Sequence, residues 1–261
     1  DGGAGTIIDG FVGASTTIDA SSGRLAISRL RAVYQPIITI GDNSEPVNMV
    51  LARLSDKDGN LLPAGRFLST LEKRGWLPDL DKWVFEHSHK LLTQETDINQ
   101  PLTLVIHVSP QSLSNAIYMT TVLTLLHEQP MPSPKQRLII AIAESAVITH
   151  RNMVDQLKQV LLPAGADLMI TQYGSSSSST SLVQQIHPAF VRLDDALCRR
   201  LEQAEYLASD QILITAAEAQ QAIIVASGIE SASSLSGLWA KGIRWFQGYF
   251  VHEPETKPTI N

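Results

Sequence analysis

From residue 33 to residue 247, short apolar and β-branched runs alternate with longer stretches of helical periodicity, and no other feature limits the fold as tightly. The apolar runs fall near 33–40, 47–54, 102–108, 138–143, 167–172, 190–193, 222–226 and 245–247. Helical patterns cover 25–30, 64–74, 79–92, 110–126, 150–161, 180–186, 208–221 and 232–240. Most strand runs are apolar throughout instead of alternating, as parallel strands buried on both faces are. Repeated βα units over this length predict an α/β fold, a modified TIM-type (β/α)8 barrel. The first two runs are separated by a short turn at Gly41, Asp42 and Asn43. So short a link cannot carry a crossover, which predicts one antiparallel strand near the start.

With 261 residues, 44% of them hydrophobic, the chain can bury one large core, expected over residues 25–261. Residues 1–24 are rich in Gly, Ser, Thr and Ala and read as a linker or the tail of an upstream domain. The chain opens at Asp1 without an initiator Met, which suggests a fragment of a longer protein. The net charge is −6 and no basic stripe is present, which argues against nucleic-acid binding. No apolar run approaches the roughly 20 residues that span a bilayer, so membrane insertion is not expected. The single cysteine, Cys198, cannot form an internal disulfide, which fits a reducing, cytoplasmic compartment.

In such a barrel the working residues sit at the C-terminal strand ends. Here those ends read Arg53, His107, Glu144, Thr171 with Gln172, Arg192, Glu230 and Gln247. Asp194 is a further candidate. That set is polar but poor in carboxylates, whereas a paired-metal hydrolase needs several of them converging.

Five segments, in order and at matching spacing, resemble the EAL-domain family of cyclic di-GMP phosphodiesterases: Tyr34–Ile37 (YQPI), Asp81–Val84 (D-x-W-V), Glu144–Ser145, Gly228–Glu230, and Gln247–Phe250 with Pro254 beyond. The departures from the family pattern are as informative. Met49 stands at the Glu of the E-A-L signature, His107 at the Asn of V-N and Ala141 at the first Glu of E-x-T-E. Thr171 and Gln172 replace the Asp pair of D-D-F-G, Arg192 replaces the Lys of K-I-D, and Ser227 replaces the first Glu of E-G-V-E. Hard divalent cations favour charged oxygen donors, which these residues lack. Arginine cannot stand in for lysine in proton transfer near neutral pH. The resemblance therefore implies a degenerate domain, not an enzyme, that requires no metal or other cofactor.

What the resemblance implies for binding is a cyclic di-GMP site built from Gln35, Leu51, Arg53, Asp81, Ile229, Glu230 and Gln247. Arg53 would grip a phosphate, Asp81 and Glu230 would accept from guanine edges, and Leu51 and Ile229 would line base faces. Other readings stay open. Arg53 can be an ion-pair partner, Asp81 a first-turn acid beside the helix dipole, and Glu230 a cap for the helix starting near Ser231. Gln35 and Gln247 can equally serve core hydrogen bonds. Arg192 is either a phosphate contact or a buried charge paired with Asp194 or Glu144. The serine run 175–179 reads as a solvated connector, or as a loop that reports ligand binding.

Within the family the pattern is similar to the catalytically silent FimX-type domains. That likeness implies a cytoplasmic regulator of type IV pili and twitching motility, with a PilZ-domain protein as partner and a GGDEF-like domain upstream. The alternatives are a protein-interaction scaffold that has lost nucleotide binding, or a weak residual phosphodiesterase.

Overall fold

The computed structural model describes residues 24–41, 47–203 and 207–260. The 1–24 linker reading and the turn at Asp42–Asn43 lie outside this set, apart from Arg24. A 3-10 turn, Ile27–Arg29, leads into β1 (Leu30–Thr39), which runs antiparallel to β2 (Val47–Ser55) from Leu30↔Leu54 to Ile37↔Val47. A short β3 (Leu61–Pro63) folds back on β2 as a hairpin. After α1 (Leu68–Arg74) and α2 (Leu77–Lys90), six strands follow: β4 (Leu102–Val108), β5 (Gln136–Ala143), β6 (Ala166–Tyr173), β7 (Phe190–Leu193), β8 (Ile223–Ala226) and β9 (Trp245–Phe246). β2 and β4 to β9 pair parallel in chain order, and β9 closes on β1 antiparallel through Ile38↔Phe246. The result is a closed eight-stranded barrel with β1 the antiparallel member, as the sequence predicts.

The helices after β4 are α3 (Pro110–Leu113), α4 (Ala116–Glu128), α5 (Glu144–Thr149), α6 (Arg151–Leu161), α7 (Ser179–Ile186), α8 (Asp195–Glu202), α9 (Ala208–Ala219) and α10 (Ala232–Ala240). Several differ from expectation for local reasons. The helix expected over 25–30 is only the 3-10 turn, because Leu30 already belongs to β1. The helix expected over 110–126 splits because Ser109 and Asn115 each accept a backbone N–H as N-caps, starting two helices. The helix expected over 64–74 becomes a 3-10 turn, Ala64–Arg66, followed by α1, which Gly75 ends in the left-handed region at φ 67°. Helices α5 and α8 and strand β3 were not legible. All are short, and α8 announces itself only through Asp194, whose carboxylate accepts from the Ala196 N–H.

Two apolar cores result. Side chains of alternate strand residues, among them Ile37, Met49, Val105, Ile139, Met169, Phe190 and Val225, fill the barrel. The intervening residues, such as Tyr34, Leu54, Leu104, Ile140 and Ile170, pack outward with Phe85 of α2 and Val183 of α7. Among the described residues no crossover helix follows β1, and the segment after β9 ties down that corner. Glu255 exchanges both backbone hydrogen bonds with Tyr34, at 2.7 and 2.8 Å. The buried Asn48 side chain donates to the Thr259 carbonyl at 3.1 Å and accepts its N–H at 3.0 Å. Among the described residues, no helix is long and apolar enough to cross a membrane.

Candidate functional site

Strand side chains alternate between faces, so residues two beyond the filled layer also face the barrel axis at its C-terminal mouth. That rule places Leu51 and Arg53 of β2, His107 of β4, Thr171 of β6 and Arg192 of β7 there, with Ser227 after β8 and Gln247 after β9. On antiparallel β1 the matching position is Gln35, which lies opposite Met49. The contacts agree. Arg192 Nη1 lies 3.3 Å from His107 Nε2, and Gln247 Nε2 donates to Gln35 Oε1 at 3.0 Å.

The mouth is cationic. Arg53 and Arg192 are both partly buried, and burial pulls each guanidinium below its ordinary pKa. Among the described residues neither has an ion-pair partner. Arg53 donates to the Ala52 carbonyl at 3.0 Å, and Arg192 hydrogen-bonds the His107 ring, while the nearby Asp195 charge favours the guanidinium without a direct ion pair. The pairing of Arg192 with Asp194 or Glu144 is therefore corrected: the first carboxylate caps α8 and the second is engaged elsewhere.

Glu144, almost fully buried, holds the loop after β6. Its Oε2 accepts from the Gly174 N–H at 3.0 Å, while Oε1 accepts from the hydroxyls of Ser179, at 2.8 Å, and Ser176. The serine run is thus anchored at two positions, while Ser175 to Ser178 remain exposed as a solvated connector would be. β6 ends in a register irregularity between Ile170 and Tyr173, and Gln172 there takes a left-handed φ of 56°.

The remaining candidates divide. Asp81 is buried, and its Oδ2 accepts from the Ser109 N–H at 2.8 Å and the Ser112 hydroxyl at 2.6 Å. The Ser109 side chain is a further hydrogen-bond partner of this carboxylate, so Asp81 ties α2 to the segment that follows β4. Glu230 is exposed, and α10 is capped by Ser231, which leaves the Glu230 carboxylate free of a capping role. Ile229 is fully buried in the outer core, so it offers no face to a base; this corrects its assignment. Both of its backbone polar groups are used, with N–H to the Gln247 carbonyl and C=O to the Phe250 N–H, each at 3.1 Å. Gln35 and Gln247 are buried and serve the core: Gln35 also donates to the His252 carbonyl at 3.2 Å. Gln247 Oε1 is sealed from solvent without a partner.

A cleft of about 480 Å³ is lined by Gly75, Pro78, Pro110, Gln111, Ser114, Asn115 and His150. Gln111 Oε1 is sealed from solvent and unpartnered there, while its Nε2 donates to the Glu72 carbonyl at 3.0 Å. An orphan acceptor is costly unless something donates to it. Sequence reasoning missed Gln111 and His150. The only signal was their place in the segments following β4 and β5, at the end of the barrel where sites form.

The family's divalent-metal chemistry can be tested against these donors. Met49 and Ala141 are fully buried without oxygen donors, Glu144 is saturated, and His107 faces a guanidinium. Among the described residues no three His, Cys, Asp or Glu side chains cluster as metal ligands do. This donor set does not fit a hard divalent cation.

The EAL domain profile matches residues 19–254. The EAL domain of FimX from Pseudomonas aeruginosa, solved bound to c-di-GMP, superposes with a TM-score of 0.73 at 26% identity, covering 88% of this chain and 92% of that one. The signalling protein YkoW of Bacillus subtilis is 23% identical over 224 residues, 85% of this chain. The cyclic di-GMP phosphodiesterase PdeF of Escherichia coli is 22% identical over 223 residues, also 85% of this chain. The chain spans 28% and 29% of the lengths of these two proteins.

Proposed function

The chain belongs to the EAL domain family, and on that premise we propose that it binds cyclic di-GMP without metal and does not hydrolyse it. The observation that carries this reading is the pair of guanidiniums, Arg53 and Arg192, in the mouth with no ion pair among the described residues. An unpaired, partly buried cation is costly in the empty protein and is stabilised by an anion, most strongly by bidentate contact to a phosphate. The cyclic dinucleotide carries two phosphates and two guanines. The exposed Glu230 carboxylate supplies an acceptor of the kind a guanine N1–H and N2–H edge needs. Hydrolysis would need a metal-activated water, for which the donors are lacking.

We further propose, following the resemblance carried by the motifs, a cytoplasmic signalling role with a PilZ-domain partner, an upstream GGDEF-like domain and control of type IV pili. The test is a calorimetric titration of cyclic di-GMP in EDTA. Binding at micromolar or tighter affinity is expected. Arg53→Ala should weaken it about 10- to 100-fold, the loss of one charge-assisted contact worth ~1.5–3 kcal/mol. Binding or turnover that appears only with Mg²⁺ or Mn²⁺ would refute the proposal.

A further inference from the structure

We infer that His107 is a positioning residue that aims the Arg192 guanidinium into the barrel mouth by accepting its hydrogen bond as a neutral group, so that Arg192 keeps its full charge for a phosphate. This inference rests on the anion-binding reading of the mouth. The two residues lie on strands that are not neighbours in the barrel, β4 and β7, and meet across its interior at 3.3 Å between Nη1 and Nε2. A guanidinium can only donate, so His107 Nε2 must accept, and the ring must carry its proton on Nδ1. Burial and the Arg192 charge both disfavour the imidazolium, pushing the His107 pKa down to about 3, so the ring stays a neutral acceptor.

The acids near Arg192 do not take this place. Asp194 is committed to the α8 cap, and Asp195, exposed and screened by solvent, favours the Arg192 charge from a distance but makes no ion pair with it among the described residues. A carboxylate at position 107 would also accept the hydrogen bond, but it would neutralise the guanidinium and repel an incoming phosphate. A neutral acceptor orients the cation without cancelling it. The inferred role therefore separates charge from hydrogen bonding, which lets substitutions tell it apart from simple packing.

The experiment has two arms. In the first, the ring ¹⁵N and ¹H shifts of His107 are recorded in the unliganded protein, with the resonance assigned by its loss in His107→Asn. The neutral Nδ1–H tautomer is expected between about pH 5 and 8. The Nε2–H tautomer or an imidazolium overturns the inference whether or not any nucleotide binds. In the second, cyclic di-GMP is titrated in EDTA against wild type, His107→Asn, His107→Glu and Arg192→Ala, each shown to be folded by circular dichroism. His107→Asn, which keeps a neutral acceptor, should bind within about threefold of wild type. His107→Glu should lose at least about 30-fold, as Arg192→Ala does. If wild type fails to bind, the functional proposal falls while the tautomer still judges the inference. If wild type binds and His107→Glu binds equally well, the inference alone falls.

Discussion

Replacing Glu144 by alanine isolates the anchor of the loop after β6. The carboxylate accepts three hydrogen bonds, and their fates on deletion differ. The Gly174 N–H, half-buried, loses its acceptor at 3.0 Å outright. The Ser179 hydroxyl has a second acceptor within reach, the Ser176 carbonyl at 2.7 Å, and can turn to it. The Ser176 hydroxyl is on an exposed residue and can bond water. Only the Gly174 bond is thus lost without replacement, at ~1–3 kcal/mol for a donor to a charged group, and the two hydroxyls add a fraction each. The expected total is ~2–3 kcal/mol by urea denaturation. Ser176→Ala, as a control, should cost under ~1 kcal/mol. Hydrogen exchange at the Gly174 amide should quicken at least tenfold, because the local anchor is gone. A loss below ~0.5 kcal/mol with Gly174 protection intact would refute the assignment of Glu144 as the loop's anchor.

Other consequences follow from single contacts. A Cβ at Gly248 would sit 2.3 Å from the Ile229 carbonyl oxygen and 2.4 Å from its nitrogen, so Gly248→Ala should destabilise by ~2–3 kcal/mol, read as a lowered denaturation midpoint. An unchanged midpoint would place the 227–230 and 247–250 segments apart. Gln172→Gly should stabilise by ~0.5–1 kcal/mol, because φ 56° costs a non-glycine residue that much strain; a net loss would show that the Gln172 side chain earns its place. His107 has a folded-state pKa of about 3, below its unfolded value near 6.5. Its contribution is full above pH 6.5 and is lost as pH falls toward 3, with a slope of up to ~1.4 kcal/mol per unit. His87 is also lowered by burial and adds in the same direction. Denaturation at pH 7 and pH 4.5 should therefore show a smaller acid loss in His107→Asn than in wild type, and equal losses would count against a buried neutral ring.

The barrel was readable from the chain because its signal is local. Continuous apolar runs mark strands buried on both faces, and a short turn forces the antiparallel start. Once the strands are placed, a period of two already sends Arg53, His107 and Arg192 to one mouth. What was misread has physical reasons too. Ile229 looks like a wall for a ligand in sequence, but its loop folds back against Gly248, whose lack of a side chain lets the two backbones touch. The serine run is largely exposed, as its polarity suggests, but nothing in it signals the buried carboxylate 32 residues away that anchors Ser176. Gln111 gave no signal because its importance lies in an acceptor left unpaired by packing.

The sequence by itself therefore determined the strand and helix order, the inward and outward faces, and the thinning of carboxylates at the strand ends, because these depend on residue type and spacing alone. The tertiary structure decided which of the inward groups meet. His107 and Arg192 stand 85 residues apart and touch only because the sheet closes with a particular tilt and stagger, which no local pattern encodes. The same closure left both arginines without an ion pair among the described residues, and that is a property of the assembled mouth.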